Sequence, residues 1–513
     1  MSRFKTLTRS VLSGYFTIAA NTIYTFVSIP LALHYLSTAE YGLWGVSVDI
    51  AGYFALIDAG MSGSTSRLLI DHKDKPNGGD YGSIIKTGAL VGVAQGIIVL
   101  LVGGILSFAL GNLLRVPTEL RRDFSWLMIG QIGVLSFNFI TRIFLQILVA
   151  HQRYDIPNYV QGGAFLLSLA GMWTGLAMGF GVLSFLAVQI GSAVALALGT
   201  ALAAFRLKLL PSRGCWGVTS WQRFKELFDY GGALFIFTMG LQFLTASQTI
   251  LLTRFMGLEA AGIWTAATRL YRLIFSLIYR TQEFTGPSLA EMFVRGEMDR
   301  MRDRLRDMAF LTTNMAVFGG FAISLCNNAF VQIWTQGRIS WTPLNDVLLG
   351  LWLIVTIAMR AHLFLAGATK RFAWLSAVCF AEGFSFIGLN LLLRNVDGIT
   401  RMLCLSILCT ITFTLLYSFK RTQGFFSLNS AQIAGWHRST WQVFWRLAIA
   451  APLSLFVTRN LGPAPKLAAN ASVCAFVGSW IFLRYGFGKN LHAEIADKLP
   501  TGLRRIFRAI GAA

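Results

Sequence analysis

The chain has 513 residues, of which 55% are hydrophobic and 13% charged, and its formal net charge is +21. A soluble domain of average composition carries about 25% charged residues, so this composition excludes an ordinary soluble protein and indicates a polytopic α-helical membrane protein. The apolar stretches do not alternate with polar residues, which excludes an outer-membrane barrel. The excess of Lys and Arg is typical of cytoplasmic loops and does not indicate a nucleic-acid partner.

About fourteen apolar stretches follow one another, each of roughly 17–27 residues and therefore long enough to cross the hydrocarbon core of a bilayer. Twelve is the competing count, because the last two stretches are shorter. The predicted spans begin near Val11, Tyr41, Ile84, Phe124, Pro157, Val182, Phe228, Glu259, Asp307, Pro343, Phe372, Thr400, Leu447 and Leu467. The first stretch, from about Val11 to Leu36, is too long for the core of a signal peptide, so we expect an uncleaved span.

Basic residues divide unequally between the two sides that this alternation defines. Of the 44 Lys and Arg residues, 28 fall on the side of the N-terminus and nine on the other side. Because Lys and Arg are retained on the cytoplasmic side, both termini are predicted to be cytoplasmic. The loops on the outer side are short and carry only scattered acids: Glu40, Glu119, Asp123, Glu259, Asp346 and Asp397.

No cofactor or metal site is expected from the sequence. The six cysteines include no CxxC pair, and Cys404 and Cys409 are too isolated from His and acidic residues to suggest a metal site. Neither a Walker motif nor a nucleophile constellation is present, so the chain gives no support for ATP-driven or hydrolytic chemistry.

The second span carries two acids, Asp49 and Asp58. On an ideal helix they lie about 180° apart, so both can face one cavity only where the helix is distorted, and Gly52 or Gly60 would permit this. One of the two acids can instead pair structurally with a neighbour. Arg67, at the cytoplasmic end of the span, is expected to be an interfacial anchor.

The eighth span has a charged stripe. At about 100° per residue its polar side chains fall within a sector of roughly 80°. These residues are Thr265, Arg269, Arg272, Ser276, Arg280 and Glu283. A charge at mid-bilayer costs at least about 2.5–3.5 kcal/mol, so the stripe must face a water-filled cavity, protein partners or an anionic ligand. Arg269 and Arg272 lie too deep to snorkel easily, and we expect them to line a cavity, with buried salt bridges as the alternative.

Three further charged residues lie within spans. Arg142 and Arg360 occupy the inner thirds of the fourth and tenth spans, where they either snorkel to the interface or extend the positive lining. Glu382 in the eleventh span is either a structural partner or a site for a coupling ion. Because guanidinium groups bind phosphate oxygens in pairs and stay charged, a diphosphate headgroup suits several arginines better than a cationic drug does.

An internal repeat relates two decapeptides 220 residues apart. Tyr35–Trp44 reads YLSTAEYGLW and Phe255–Trp264 reads FMGLEAAGIW, so Gly42 matches Gly262 and Trp44 matches Trp264. Each leads from an outer connection into an even-numbered span. The repeat predicts two parallel lobes of six helices, followed by two additional helices. It also matches Asp49 with Arg269, a pair that would meet across a central cavity.

The predicted domains follow from this repeat. Helices 1–6 form an N-lobe at 1–210, helices 7–12 form a C-lobe at 211–425, and two more helices occupy 426–486. The tail at 487–513 is basic and amphipathic, as expected of a cytoplasmic helix resting on anionic headgroups.

The segment DAGMSGSTSR, after a helix entered by YLSTAEYGLW, resembles the N-terminal signature of bacterial polysaccharide-export flippases, and TGPSLAEMF resembles their matching C-lobe element. This resemblance implies membership of the multidrug/oligosaccharidyl-lipid/polysaccharide exporter (MOP) superfamily, with its MATE-like fold. Relatives of this kind move undecaprenyl-diphosphate-linked oligosaccharide across the bacterial cytoplasmic (inner) membrane for polysaccharide biosynthesis and export, by alternating access about a cationic cavity.

Under this resemblance the cavity residues are Arg269, Arg272, Arg280, Arg142 and Arg360. Candidates for H⁺ or Na⁺ coupling, or for pairing between lobes, are Asp49, Asp58, Glu283 and Glu382. The implied partners are the lipid-linked oligosaccharide, membrane lipids and polysaccharide polymerase or assembly proteins. The resemblance implies a transporter and no enzyme. The alternatives are a membrane glycan polymerase, ligase or glycosyltransferase acting on lipid-linked sugars, and a multidrug exporter of the same fold.

Overall fold

The computed structural model describes residues 3–58, 60–369, 373–393 and 398–486, and their secondary structure is helical throughout, without a strand. The predicted amphipathic tail at 487–513 lies outside the described residues. The fold is therefore all-α, as the composition predicts. By their contacts the residues form two compact units, unit 1 at Met1–Gly262 and unit 2 at Ile263–Ala513.

Unit 1 is built from long helices joined by short connections. In chain order these are α1 (Arg3–Tyr35), α2 (Thr38–Phe54), α3 (Met61–His72), α4 (Asp80–Leu113), α5 (Arg121–Ala150), α6 (Asp155–Ala177), α7 (Leu183–Arg206), α8 (Trp221–Thr245) and α9 (Ser247–Met256). The next helix, α10 (Leu258–Ala267), begins in unit 1 and ends in unit 2.

Unit 2 continues with the remaining helices. These are α11 (Arg269–Val294), α12 (Met298–Trp334), α13 (Pro343–Thr369), α14 (Ala373–Leu392), α15 (Gly398–Thr410), α16 (Leu416–Phe426), α17 (Ser430–Trp436), α18 (Arg438–Val457), α19 (Pro463–Val473) and α20 (Ser479–Tyr485). Two π-helical segments, Ile411–Leu415 and Cys474–Gly478, join α15 to α16 and α19 to α20.

Helices occupy all fourteen predicted span positions. Within the described residues, eleven helices are long and apolar enough to cross a membrane, and the bent pair α2–α3 makes a twelfth. The other two predicted spans correspond to the interrupted pairs α8–α9 and α10–α11. Both pairs are interrupted and carry polar residues, and neither is among the helices that are long and apolar enough to cross a membrane. The protein is a multi-pass membrane protein.

The helix pair α2–α3 is bent by 44°. A 3₁₀ turn at Ala55–Asp58 ends the first piece, and Gly60 adopts a positive φ of 72° before the second. A positive φ suits glycine, which has no Cβ to clash. A distortion of the kind that Gly52 or Gly60 would permit is therefore present at Gly60.

The charged segment 291–307 does not form a separate helix. It supplies the end of α11 and the start of α12, and Gly296 between them has a φ of 73°. From Met298 the helix continues without a break into the apolar part of α12. Ion pairs three or four residues apart, such as Arg300–Glu297, stabilise the charged segment 291–307.

The two C-terminal helical segments pack on α12. Val317, Phe321 and Leu325 of α12 share a buried cluster with Val443 of α18 and Ile481 of α20. The helices after 426 therefore belong to unit 2. The predicted lobes at 1–210 and 211–425 stay a prediction, and the contact-based division falls later, after Gly262.

The first decapeptide of the repeat is held by local and tertiary contacts. Ser37 and Glu40 form a capping box that begins α2. Trp44 stacks on Phe185 of α7 with ring centroids 5.0 Å apart. The motif thus forms a capped helix start followed by an aromatic anchor.

Gly42 and Gly262 lie against each other in unit 1. A Cβ on Gly42 would sit 2.0 Å from the carbonyl oxygen of Leu258, and a Cβ on Gly262 would sit 2.3 Å from that of Thr38. Leu258 is the repeat equivalent of Thr38, so the contact is reciprocal. Close approach of the two backbones therefore explains why both matched positions are glycine.

Candidate functional site

Helix α11 presents the arginine stripe on its exposed side. Arg272, Ser276 and Arg280 are exposed, while Arg269 and Glu283 are half-buried. At Thr268, between α10 and α11, the backbone hydrogen bonds continue: Thr268 N–H donates to the carbonyl oxygen of Trp264, and Arg272 N–H donates to that of Thr268, both at 3.0 Å. The positive charge of this face therefore comes from the side chains and not from unpaired helix N–H groups.

The opposite face of α11 is fixed by packing within unit 2. Tyr271 stacks on Trp352 of α13 with centroids 4.9 Å apart and rings nearly parallel. Gln282, which is fully buried, donates to the Thr312 hydroxyl and to the Ile357 carbonyl at 3.0 and 3.1 Å. These contacts set the rotation of the helix and so determine which residues form the arginine face.

Arg360 joins the same region from α13. Its guanidinium lies 5.2 Å from the ring centroid of Phe275 and 5.0 Å from that of Tyr279, both on α11. Such cation–π contacts hold a guanidinium plane in place while leaving its N–H groups available to oxygen ligands. Four predicted arginines, Arg269, Arg272, Arg280 and Arg360, thus lie on two neighbouring helices of one unit.

The two acids that accompany these arginines have different environments. Glu283 forms an exposed ion pair with Arg280 at 3.1 Å on the same helix. Glu382 of α14 is buried, accepts a 2.8 Å hydrogen bond from Thr410, and interacts electrostatically with Arg360. Thr410 borders the π-helical segment at 411–415, and such segments are frequent at functional sites.

In unit 1, Asp58 and Arg142 form an ion pair, and their side chains are 26% and 11% exposed. Arg142 also donates to the side-chain carbonyl of Gln95 on α4. Gln95 in turn donates to the carbonyls of Ile57 and Asp58 at 2.7 and 3.1 Å. The network ties the bend between α2 and α3 to α4 and α5.

Asp58 also organises the start of α3, because its carboxylate accepts a 2.7 Å hydrogen bond from the Ser62 hydroxyl. Asp49 is half-buried on α2, on the other side of the bend, and interacts electrostatically with Tyr53. The charge of Arg142 is matched within its own unit by Asp58, as that of Arg280 is matched by Glu283 in unit 2.

The arrangement in unit 2 suits an anionic headgroup. Exposed and half-buried guanidinium groups with aromatic neighbours bind phosphate oxygens through charge-assisted hydrogen bonds. Within the described part of the chain, no group of three or more His, Cys, Asp or Glu residues could hold a metal ion.

A family model for polysaccharide biosynthesis proteins matches residues 7–281, just over half of the chain. The chain belongs to the polysaccharide biosynthesis protein family. The matched range includes both decapeptides, the Asp58–Arg142 pair and the arginines of α11, whereas Arg360 and Glu382 lie beyond it. No curated protein matches the chain in sequence.

Solved structures show the same fold. An inward-facing multidrug resistance MATE family transporter of the MOP superfamily has a TM-score of 0.64 at 12% identity, over 78% of this chain and 95% of that one. The lipid II flippase MurJ in an inward closed conformation has a TM-score of 0.64 at 13% identity, over 91% and 98%. A MOP superfamily transporter from Pyrococcus furiosus, described as having a binding pocket of reversed polarity, has a TM-score of 0.52 at 13% identity, over 82% and 96%. The predicted MOP exporter fold is confirmed.

Two buried polar groups could not be predicted from the sequence. Gln95 carried no charge and so gave no signal of its partnership with Arg142. Asp346 was counted among the scattered acids of the outer side, yet it is fully buried in the first turn of α13, beside the fully buried Asn327 of α12. The adjacent Asn327 and Asn328 within an apolar helix were the signal that was available.

Proposed function

We propose that the protein is a flippase that moves undecaprenyl-diphosphate-linked oligosaccharide from the cytoplasmic to the outer leaflet of the bacterial inner membrane by alternating access. The observation that carries this proposal is the arginine face of α11, with Arg360 beside it, in a multi-pass member of the polysaccharide biosynthesis family. The fold shared with a lipid II flippase supports it as well.

In this mechanism Arg269 and Arg272 hold the diphosphate, with Arg280 and Arg360 extending the positive surface. Aromatic and polar side chains contact the sugars, and the lipid tail stays in the bilayer. No covalent bond is made or broken, so the protein is not an enzyme and needs no cofactor. Both termini lie in the cytoplasm, and an H⁺ or Na⁺ gradient supplies the free energy. Polymerase or assembly proteins receive the product.

The test compares the leaflet distribution of the lipid-linked intermediate in cells that lack the protein and are complemented with variants at matched membrane levels. Arg269→Ala/Arg272→Ala is expected to trap the intermediate on the cytoplasmic leaflet. Each hydrogen bond to a charged group contributes about 1.5–3 kcal/mol, so losing two arginines lowers diphosphate affinity by roughly 100-fold or more. Arg269→Lys/Arg272→Lys retains the charge, loses the paired donors and gives an intermediate defect.

The matched control is Arg300→Ala/Arg304→Ala, which removes two arginines from the charged segment 291–307. It is expected to leave the leaflet distribution of the intermediate unchanged. If the intermediate of the α11 double variant reaches the outer leaflet normally while polymer is missing, the protein acts as an outer-face polymerase, ligase or glycosyltransferase, and the flippase proposal is wrong.

A further inference from the structure

A group of arginine and aromatic side chains lies where α18 begins and α20 ends. The two ends are adjacent, because the Ser439 hydroxyl donates to the Tyr485 carbonyl at 2.6 Å. Val443 of α18 and Ile481 of α20 also share the buried cluster that packs on α12. The two helices therefore run in opposite directions, and the first turns of α18 lie beside the last turn of α20.

Two arginines of this group contact one tyrosine ring. The guanidinium carbon of Arg446 on α18 lies 4.0 Å from the ring centroid of Tyr485, and that of Arg484 on α20 lies 5.5 Å from it. Arg484 also lies 5.3 Å from the ring centroid of Trp480. Aromatic faces hold guanidinium groups in place without using their N–H donors. The two cations are therefore held near each other with donors available to oxygen ligands.

The positive charge of this group is not matched by an acid. From Gly398 to Tyr485 the sequence has no Asp or Glu, and neither Arg446 nor Arg484 forms an ion pair with a described residue. Arg446 donates to the Gln442 carbonyl at 2.8 Å, whereas Arg484 Nε is buried and has no hydrogen-bond partner among the described residues. Neighbouring guanidinium groups repel each other, so an anion at their remaining N–H groups would stabilise this end of the helices.

The surroundings favour a phosphate that carries acyl chains. Ile449 and Leu453 follow Arg446 on the same side of α18, three and seven residues further on, and they are 70% and 65% exposed. On α20 the exposed Trp480 precedes Arg484 by about one turn. An acyl chain can cover these apolar side chains while its phosphate reaches the arginines. A free phosphate ion would bury none of this apolar surface.

The position of the group along the helices suits a lipid headgroup. Helical side chains point toward the N-terminus of their helix, so Arg446 reaches back toward the start of α18, as its bond to the Gln442 carbonyl shows. Trp441 and Trp445 are exposed nearby, and tryptophan is enriched at the interface between membrane and water. In the proposed topology this end faces the cytoplasm, where anionic lipids attract basic residues.

We propose that Arg446 and Arg484 bind the headgroup phosphate of an anionic phospholipid, whose acyl chains lie along the exposed face of α18 and α20. The bound lipid bridges the two C-terminal helical segments at the membrane surface. The site lies on different helices from the arginine face of α11, and it does not depend on the proposed flippase function.

The test is native mass spectrometry of the purified full-length protein in detergent, titrated with phosphatidylglycerol or with phosphatidylcholine. Arg446→Gln/Arg484→Gln removes both cations and keeps a polar side chain at each position. The affinity of this variant for phosphatidylglycerol is expected to fall by roughly 30-fold, the combined effect of two arginines near an anionic lipid surface. The weaker affinity for phosphatidylcholine should change little. Phosphatidylglycerol should also raise the melting temperature of the native protein more than that of the variant.

The matched control is Arg459→Gln/Lys466→Gln, which removes two positive charges at the other end of α18 and at the start of α19. Arg459 also lies over an aromatic ring, 4.4 Å from the centroid of Phe456, yet this variant should bind phosphatidylglycerol as the native protein does. Arg446→Lys/Arg484→Lys retains the charge but loses the paired donors, so its affinity should be intermediate. Arg446→Gln alone changes an exposed residue and is expected to fold. Its roughly fivefold loss of affinity decides the question if the double variant does not fold.

Three results would overturn the site. The first is equal affinity of the native protein, Arg446→Gln and Arg446→Gln/Arg484→Gln for phosphatidylglycerol. The second is an equal loss of phosphatidylglycerol and phosphatidylcholine, which would mean that charge does not select the lipid. The third is displacement of the lipid by inorganic phosphate, which would indicate a site for a free anion. Each result leaves the flippase proposal standing, because the leaflet distribution of the lipid-linked intermediate is measured separately.

Discussion

Replacing Arg142 with alanine is expected to lower the free energy of unfolding by about 3–5 kcal/mol, because it leaves the carboxylate of Asp58 without its partner in a largely buried position. The loss extends beyond one ion pair. The Gln95 side-chain carbonyl loses the donor from Arg142 as well. Since this network ties the bend between α2 and α3 to α4 and α5, the bend itself should loosen. Chemical unfolding of the purified protein in mixed micelles measures the effect.

Two comparisons separate this effect from a general loss of positive charge. Arg67→Ala removes an exposed partner from the 3.8 Å pair with Asp71 and should cost no more than about 1 kcal/mol. The double variant Asp58→Asn/Arg142→Gln removes both charges and keeps polar groups in place, so it should be more stable than Arg142→Ala. If Arg142→Ala unfolds like Arg67→Ala, the network does not hold the bend.

The double variant also bears on the substrate site. Arg142 was predicted to extend the cationic lining, yet its charge is matched by Asp58 within unit 1. If the neutral double variant folds and still moves the lipid-linked intermediate, Arg142 holds the helices in place and is not a phosphate ligand. If it folds but traps the intermediate on the cytoplasmic leaflet, Arg142 belongs with Arg269 and Arg272.

The features that could be predicted from the sequence follow from the period of the α-helix and from the helix length that is needed to cross a bilayer. The apolar stretches predict the helices because crossing a bilayer fixes their length. The stripe on α11 follows from helical period alone, and Arg272, Ser276 and Arg280 indeed share an exposed face. Gly60 could be named as a point of distortion because a glycine beside a misaligned pair of acids offers the necessary backbone freedom.

What was not predictable depends on neighbours that are far apart in sequence. Asp58 and Arg142 are 84 residues apart, and no local pattern indicates that they meet. Asp346 stands near the start of its helix, so linear position suggested an outer acid. Its burial depends on Asn327 and Trp341, which the connection between α12 and α13 folds onto it. The alternative of a structural partner was named for Asp58, but the partner could not be.

Replacing Gly42 with alanine should largely abolish the yield of folded, active protein, and Gly262→Ala should have the same effect. The new methyl carbon would lie 2.0 Å from the carbonyl oxygen of Leu258 in the first variant and 2.3 Å from that of Thr38 in the second. Both obstacles are backbone atoms, which cannot rotate away as a side chain can. We therefore expect a cost of at least about 3 kcal/mol, the upper end for overpacking. Size-exclusion profiles and the leaflet distribution of the intermediate measure the two consequences.

Gly133→Ala provides the matched control, since a Cβ at this position in the middle of α5 meets nothing within 4 Å. The free energy of unfolding of that variant should rise by about 0.5–1 kcal/mol, because alanine loses less backbone entropy in a helix than glycine does. The expected change in the free energy of unfolding is thus positive at Gly133 and negative at Gly42 and Gly262. Helix propensity alone would favour alanine at all three positions. Gly42→Ala and Gly262→Ala should also resemble each other, because the contact is reciprocal. A large effect at one glycine with none at the other would mean that the matched decapeptides do not form an equivalent contact, and the internal repeat would lose its structural basis.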